Sequence, residues 1–155
     1  MKWFLDFITN PYFITATSSW AIAQIVKTAI YWAMNKKLDL WRLVGDGGMP
    51  SGHSATVSSL AMICALIHGP SSFQFAVTAV LAIIVCHDAT GVRQETGKQA
   101  VLLNQITDLI NKISTDKLSD EVKLKEFVGH TFTQVLAGIV LGVLNALILY
   151  FLAFN

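Results

Sequence analysis

The segment GDGGMPSGHSATVSSL, residues 45 to 60, joins a glycine-rich loop, a proline and a histidine to the start of an apolar helical segment. Ser51 stands at the capping position of the predicted helix, and Gly52 lets a ligand approach the backbone closely. The amides of the first turn, aided by the helix dipole, then offer an anion site with His53 at its rim. Helix capping alone explains the same residues, so both interpretations stay open at this point.

Two further polar segments carry residue types suited to phosphate chemistry. HDATGVRQETGKQ, residues 87 to 99, supplies Arg93 and Lys98 at the end of one apolar segment, and GHTFTQ places His130 just before another. Histidine serves as an acid or a nucleophile, while arginine and lysine neutralise phosphate charge. We therefore expect a phosphate site where these helix ends meet.

The composition predicts an all-α integral membrane protein. Hydrophobic residues make up 54% of the chain and charged residues 14%, with a mean hydropathy of +0.55. A typical soluble domain has about a quarter of its residues charged, so a water-facing surface would be hard to build here. The net charge of +1 gives no reason to expect nucleic acid as a partner. Both cysteines lie in apolar runs without metal-ligand spacing, and neither a metal nor a cofactor is expected.

Four apolar segments predict a helical bundle that forms a single membrane domain over residues 1–155. A short interfacial helix with Trp3, Phe4 and Phe7 precedes them. The small residues of the last span allow close helix packing, and the same stripe offers a homodimer contact. The predicted spans are residues 12–34, 52–68, 72–90 and 131–154, with a polar insert at 91–129.

The polar insert contains apolar residues at helical spacing from Leu102 to Ile113. They predict an amphipathic helix that lies on the membrane surface or against the bundle, and a partner-binding helix is the alternative. Alternation of the spans places the three polar segments on one side of the membrane. Most of the basic residues fall on that side, so we expect it to be cytoplasmic, in a bacterial plasma membrane. These residues are Lys36, Lys37, Arg42, Arg93, Lys98, Lys112, Lys117, Lys123 and Lys125.

The motifs GGMPSGHSA, HDATGVRQETGKQA and GHTFTQVLAGIVLG resemble the divergent branch of the type 2 phosphatidic acid phosphatase superfamily. This superfamily is related to acid phosphatases and vanadium haloperoxidases. The resemblance implies an integral membrane phosphatase that hydrolyses a lipid phosphate or a prenyl (pyro)phosphate through a phosphohistidine intermediate. It implies membrane lipid as the surroundings and a phosphorylated lipid as the substrate.

The resemblance also implies roles for individual residues. Lys27, Ser51, Gly52 and Arg93 match phosphate-binding positions of the superfamily motifs. His53 matches the residue that protonates the leaving group, and His130 matches the nucleophile.

The chain departs from the superfamily pattern at two positions. No Arg-Pro pair follows Lys27, and Arg42 is our candidate for the missing guanidinium. Gln134 replaces the aspartate that would support His130, and Asp88 or Glu126 is the candidate for a relocated carboxylate. A chain that kept the anion pocket without efficient turnover would be a lipid-phosphate binding or transport protein, which is the alternative function.

His87 and Asp88 form a further polar pair in the sequence. A structural hydrogen-bonded pair is the first interpretation, support of catalysis the second and part of a metal site the third. Lys27 lies inside a predicted span, where a charge costs ~2.5 to 3.5 kcal/mol. Snorkelling toward the interface and a role in the site are both open for it.

Overall fold

The computed structural model describes residues 1–45, 47–113, 124 and 129–154, and of Arg42 the backbone alone. Every regular element within these ranges is helical, which confirms the all-α prediction. The elements are α1 (Lys2–Ile8), α2 (Pro11–Asn35), a 3-10 turn (Leu40–Leu43), α3 (Gly52–His68), α4 (Phe73–Thr90), α5 (Val92–Ile113), α6 (Phe132–Leu149) and a closing π-helical turn (Tyr150–Phe154).

The long apolar helices begin at polar capping residues. Asn10 caps α2 with Pro11 in the first position, Ser51 caps α3, Ser72 caps α4 and Thr131 caps α6. Each side chain accepts a hydrogen bond from an otherwise unsatisfied amide of the first turn. The four helices therefore start within one residue of the predicted spans.

Helix α3 is the centre of the bundle and packs against α2, α4 and α6. Its buried face consists largely of small residues, which lets neighbouring backbones come close. The approach is closest along α6, where a Cβ atom at Gly138 would collide with the Ser51 carbonyl oxygen and one at Gly142 with that of Ala55. These contacts progress in the same direction along both helices, so α3 and α6 run parallel. Gly138 and Gly142 therefore pack against α3 of the same molecule and are not available for a contact between two copies.

A polar cluster ties α6 to α2 inside the bundle. The Asn145 amide donates to the hydroxyls of Ser18 at 2.9 Å and Ser19 at 2.8 Å. Ser59 of α3 donates to the Thr15 carbonyl at 3.4 Å. In membrane bundles such interhelical hydrogen bonds contribute about 0.6 to 2 kcal/mol each.

Two helical stretches are long and apolar enough to cross a membrane, namely Phe73–Ile113 and Phe132–Phe154. Helix α3 is apolar but shorter, and α2 carries buried polar residues on the side that faces the bundle. The count of four spans stays a prediction for these two helices. Helix α4 buries only Ala89 and turns large apolar side chains outward, as expected of a helix in contact with lipid.

Helices α1 and α5 are amphipathic and lie apart from the core. Helix α1 buries no residue, and its Trp3, Phe4 and Phe7 are exposed. The prediction of a helix in the polar insert is confirmed by α5, whose apolar residues from Leu102 to Ile113 are also exposed. This exposure favours a position on the membrane surface over packing against the bundle.

The contact between α3 and α6 yields a stability prediction. Replacing Gly142 by Ala adds one methyl group to a helix interior, which in an open helix stabilises by about 1 kcal/mol. Here the methyl group meets backbone of Ala55, so we expect destabilisation of roughly 1 to 3 kcal/mol, measured as a lower SDS midpoint for loss of helicity. Val77→Ile adds one methylene group on the exposed side of α4 and serves as the control. An unchanged midpoint for Gly142→Ala would show that the two helices are not in contact.

Candidate active site

Three backbone contacts bring the polar segments to one end of the bundle. The His130 amide donates to the Ala89 carbonyl at 2.9 Å, and the Ser51 amide donates to the Gln134 carbonyl at 3.0 Å. Gly129, with φ of +90°, lies against the backbone of Arg93 and Gln94, so a side chain there would be both strained and blocked. PSGH, HDATGVR and GHTFTQ therefore share one face of the molecule, as predicted.

His53 and His130 face each other across this end of the bundle. Their ring centroids are 6.4 Å apart and the ring planes are inclined by 56°. His130 is 5% exposed whereas His53 is exposed. One ring is therefore held within the protein and the other lies at its rim.

Gln134 fixes the orientation and the tautomer of His130. Its Oε1 atom lies 3.1 Å from Nδ1 of His130 and accepts a hydrogen bond from the Thr131 amide at 3.2 Å. A backbone amide can only donate, so this side-chain atom is the acceptor oxygen, and Nδ1 must carry the proton shared with it. In the neutral imidazole, Nε2 then keeps the lone pair. The capping box of α6 thus sets which nitrogen of His130 carries the proton.

Lys27 lies above the start of α3. Helices α2 and α3 run antiparallel, as shown by the contacts Thr15 to Ser59 and Trp20 to Gly52. Lys27 lies about two turns beyond Trp20 on α2. Its Nζ atom is 3.4 Å from the Gly45 carbonyl oxygen, at the entrance of the glycine loop. The side chain is 4% exposed. The Lys27 ammonium group is therefore held inside the protein beside the glycine loop.

Gln24 lies on α2 between Trp20 and Lys27. It is 6% exposed, and its Oε1 atom is buried without a hydrogen-bond partner among the described residues. Such an atom is costly to leave unsatisfied, at about 1 to 3 kcal/mol.

The amino ends of α3 and α6 meet at the histidine pair. Because the two helices are parallel and in contact from Ser51 to Gln134, both positive dipole ends point to the same place. Each such end stabilises a nearby anion by about 0.3 to 1 kcal/mol, and more when partly buried. Ser51 and Gly52 are buried there, with the Ser51 hydroxyl accepting from the Ser54 amide at 3.3 Å. The structure thus contains both the helix end that an anion site requires and the Ser51 cap that simple helix capping requires.

Arg93 and Asp88 form an ion pair beside the site. Nε of Arg93 lies 3.0 Å from Oδ2 of Asp88, with the side chains 50% and 43% exposed. Exposed pairs of this kind contribute no more than about 1 kcal/mol to stability, so this ion pair is weak. Among the described residues, Asp88 pairs with Arg93 and not with His87, which corrects the first interpretation of that pair.

The other predicted site residues are placed less fully. The Arg42 backbone belongs to the 3-10 turn Leu40–Leu43, and its side chain is not described. Glu126, the second candidate carboxylate, lies outside the described residues. Within the part of the chain that the structure describes, no three His, Cys, Asp or Glu residues cluster as metal ligands.

Sequence reasoning missed the backbone groups that hold the site together. The carbonyls of Gly45 and Ala89 leave no trace in residue type, so no sequence signal marked them. The capping box had a signal, because Thr131 is followed three residues later by Gln134 just before an apolar run.

Comparison with known proteins matches the sequence to a family. The sequence profile of the family described as "Divergent PAP2 family" matches residues 8–145. The chain belongs to the divergent PAP2 family. The protein named "Uncharacterized membrane protein YuiD" of Bacillus subtilis (strain 168) is 36% identical over 154 residues, which cover 94% of this chain and 97% of YuiD. No solved structure matches the chain.

The family match confirms the resemblance drawn from the motifs and identifies the chain as a membrane protein of this family. The matched range includes every candidate residue from Lys27 to Gln134. It therefore spans both histidines, all of α3 and most of α6.

The link between Gln134 and His130 predicts a tautomer. In ¹⁵N-histidine-labelled protein above the titration range of the ring, we expect His130 to be protonated at Nδ1. Gln134→Leu removes the acceptor and should give a mixture of tautomers, seen in the ring nitrogen shifts. Gln105→Leu makes the same change at an exposed position of α5 and should leave His130 unaltered. Protonation of His130 at Nε2 in the unsubstituted protein would contradict the assigned orientation.

Proposed function

We propose that this divergent PAP2 family protein is a membrane phosphatase that hydrolyses a lipid phosphate or a prenyl (pyro)phosphate through a phosphohistidine at His130. The observation that carries the proposal is the placement of His53 and His130, 6.4 Å apart, where the amino ends of α3 and α6 converge. A nucleophile, an acid and an anion site then occupy one pocket.

In the first step, Nε2 of His130 attacks phosphorus and forms the N–P bond while the bond from phosphorus to the alkoxide oxygen breaks. Protonated His53, on the opposite side of the ion, gives its proton to that oxygen, and the lipid alcohol leaves. Nδ1 of His130 keeps its proton and shares it with Gln134. General acid assistance of this kind contributes about 100-fold to 10,000-fold.

In the second step, water attacks the phosphohistidine. His53, now neutral, takes a proton from the water as the O–P bond forms and the N–P bond to His130 breaks. Inorganic phosphate leaves, and both imidazoles return to their starting states. The reaction consumes one water and produces one alcohol and one phosphate.

Charge on the transferring phosphoryl group is offset by several proposed donors. The backbone amides at Gly52 and His53 and the dipoles of α3 and α6 face the pocket end of the bundle. Lys27 supplies a buried positive charge close to the glycine loop. Arg93 contributes after it leaves Asp88, and Arg42 is the proposed replacement for the superfamily's second-motif guanidinium.

Gln134 lowers the expected rate without abolishing the mechanism. In serine proteases, exchange of the buried aspartate for an amide costs about 10,000-fold because the histidine takes the wrong tautomer. Here the capping box presents the amide oxygen to Nδ1, so the tautomer is retained and only the negative charge is lost. We therefore propose slow turnover rather than none.

A non-catalytic lipid-phosphate binding or transport protein is the second candidate function. The observation that favours it is the same neutral Gln134, which cannot stabilise a charged His130. In that case the anion pocket remains and the chemistry does not follow.

Phosphate release from phosphatidic acid, phosphatidylglycerophosphate and polyprenyl phosphates separates the two functions. We expect His130→Ala to lower release about 1,000-fold or more, and His53→Gln about 100-fold. A ³²P-labelled substrate should leave an acid-labile, base-stable label on the His53→Gln protein that is absent from His130→Ala. His87→Gln, a matched exchange at an exposed histidine outside the pocket, should retain activity.

One outcome of this assay would decide against the phosphatase, and a Gln134 variant tests the weakened relay. Absence of histidine-dependent release on all substrates, with tight binding of vanadate or a lipid phosphate, would establish the binding protein. Gln134→Glu restores the charge in the same shape and should raise turnover if the weakened relay limits the rate.

We also propose that the site faces the cytoplasm, because most of the basic residues lie in the sequence segments between the predicted spans on that side. Lys98→Cys, at an exposed position on this side, should react with a membrane-impermeant thiol reagent only after the cells are opened. Ser71→Cys, in the turn between α3 and α4, should react in intact cells. The reverse pattern would place the site outside.

A further inference from the structure

An apolar groove of about 620 Å³ runs along the outer side of α6. Its walls include Leu136, Val140, Leu144 and Ile148 of α6, together with Ile22 of α2. From residue 133 to residue 148, at about 1.5 Å per residue, the groove follows α6 for about 22 Å. The volume falls within the ~300 to 1,000 Å³ that is usual for small-molecule sites.

The groove begins at the candidate active site. Thr133, at its upper end, is three residues from His130, and its hydroxyl lies 2.9 Å from that of Thr131, which caps α6. The upper end of the groove thus lies three residues along the chain from His130. A molecule whose phosphate contacts His130 can extend the rest of its length along α6.

The chemistry of the walls selects an alkyl chain. Apart from Thr133, the polar residue on the wall is Asn145, and its amide is directed into the bundle toward Ser18 and Ser19. The deep part of the groove therefore offers apolar side chains and no competing donor. Val140, Leu144 and Ile148 are about half exposed, so the groove opens sideways to the hydrocarbon of the bilayer.

We propose that this groove binds one alkyl or prenyl chain of the phosphorylated lipid whose phosphate lies between His53 and His130. The inference rests on the proposed function for the position of the phosphate. It adds the path of the chain and assigns chain selectivity to α6 and Ile22. The 22 Å path is longer than half of the ~30 Å hydrocarbon core, which favours long chains over short ones.

Photo-crosslinking tests the path without requiring turnover. Hexadecyl phosphate probes with a diazirine near the phosphate or at the chain end are irradiated with the protein in vesicles, and the labelled residues are mapped by mass spectrometry. We expect the first probe to label around Thr133 and Leu136 and the second around Leu144 and Ile148. The matching hexadecanol probe, which lacks phosphate, should label these positions at least tenfold less.

A groove-filling variant tests the same path in the enzyme. Ala137→Trp, on the groove wall, should lower kcat/KM for hexadecyl phosphate at least tenfold and leave phenyl phosphate within twofold. Ile83→Trp, at a 68% exposed position of α4, should change neither value. If Ala137→Trp fails to fold, Val140→Phe replaces it.

The outcomes distinguish the groove from the phosphatase. Labelling along α6 without phosphate release would uphold the groove and refute the enzyme. Phosphate release with equal labelling by the alcohol, or with no effect of the Ala137 exchange on the long chain, would overturn the groove alone. Disulfide-linked dimers of Val140→Cys together with no labelling would show that a second copy covers this face.

Discussion

The close parallel contact between α3 and α6 is the interaction on which the site depends. Gly138 and Gly142 let the α6 backbone touch the carbonyls of Ser51 and Ala55, and the Ser51 amide in turn donates to the Gln134 carbonyl. Because the two backbones are in direct contact, the axial position of one helix relative to the other is fixed. Because both helices begin at this level, their positive ends and their histidines face one small volume. A side chain between the helices would separate all of these groups together.

The remaining helices hold this pair in place with polar contacts that suit a lipid environment. Hydrophobic burial cannot drive association where the solvent is itself apolar, so packing and hydrogen bonds must do so. Asn145 joins α6 to α2 through two serine hydroxyls, and Ser59 joins α3 to the backbone of α2. The same α2 then carries Lys27 to the glycine loop. One helix thus contributes both to core packing and to the surroundings of the glycine loop.

Gln134 connects the fold to the proposed chemistry. Its backbone holds α3, its side chain completes the cap of α6, and the same oxygen fixes Nδ1 of His130. A carboxylate in this position would add negative charge, whereas the Gln134 amide only orients the imidazole ring of His130. The apolar groove along α6 starts one turn away from the histidine, so the helix that orients the proposed nucleophile also lines the proposed path of the lipid chain.

The sequence by itself determined the four long helices, because capping residues and apolar runs are local and mark their own boundaries. It also predicted that the segments carrying His53 and His130 share one face, through motif and position. Only the tertiary structure decided which atoms meet. The pairing of Asp88 with Arg93, the support of His130 by the Ala89 carbonyl and the closeness of the two rings depend on how distant segments pack. Such contacts depend on the axial position and direction of the helices relative to one another. Backbone carbonyls are the same in every residue, so the sequence cannot show which of them will accept a hydrogen bond.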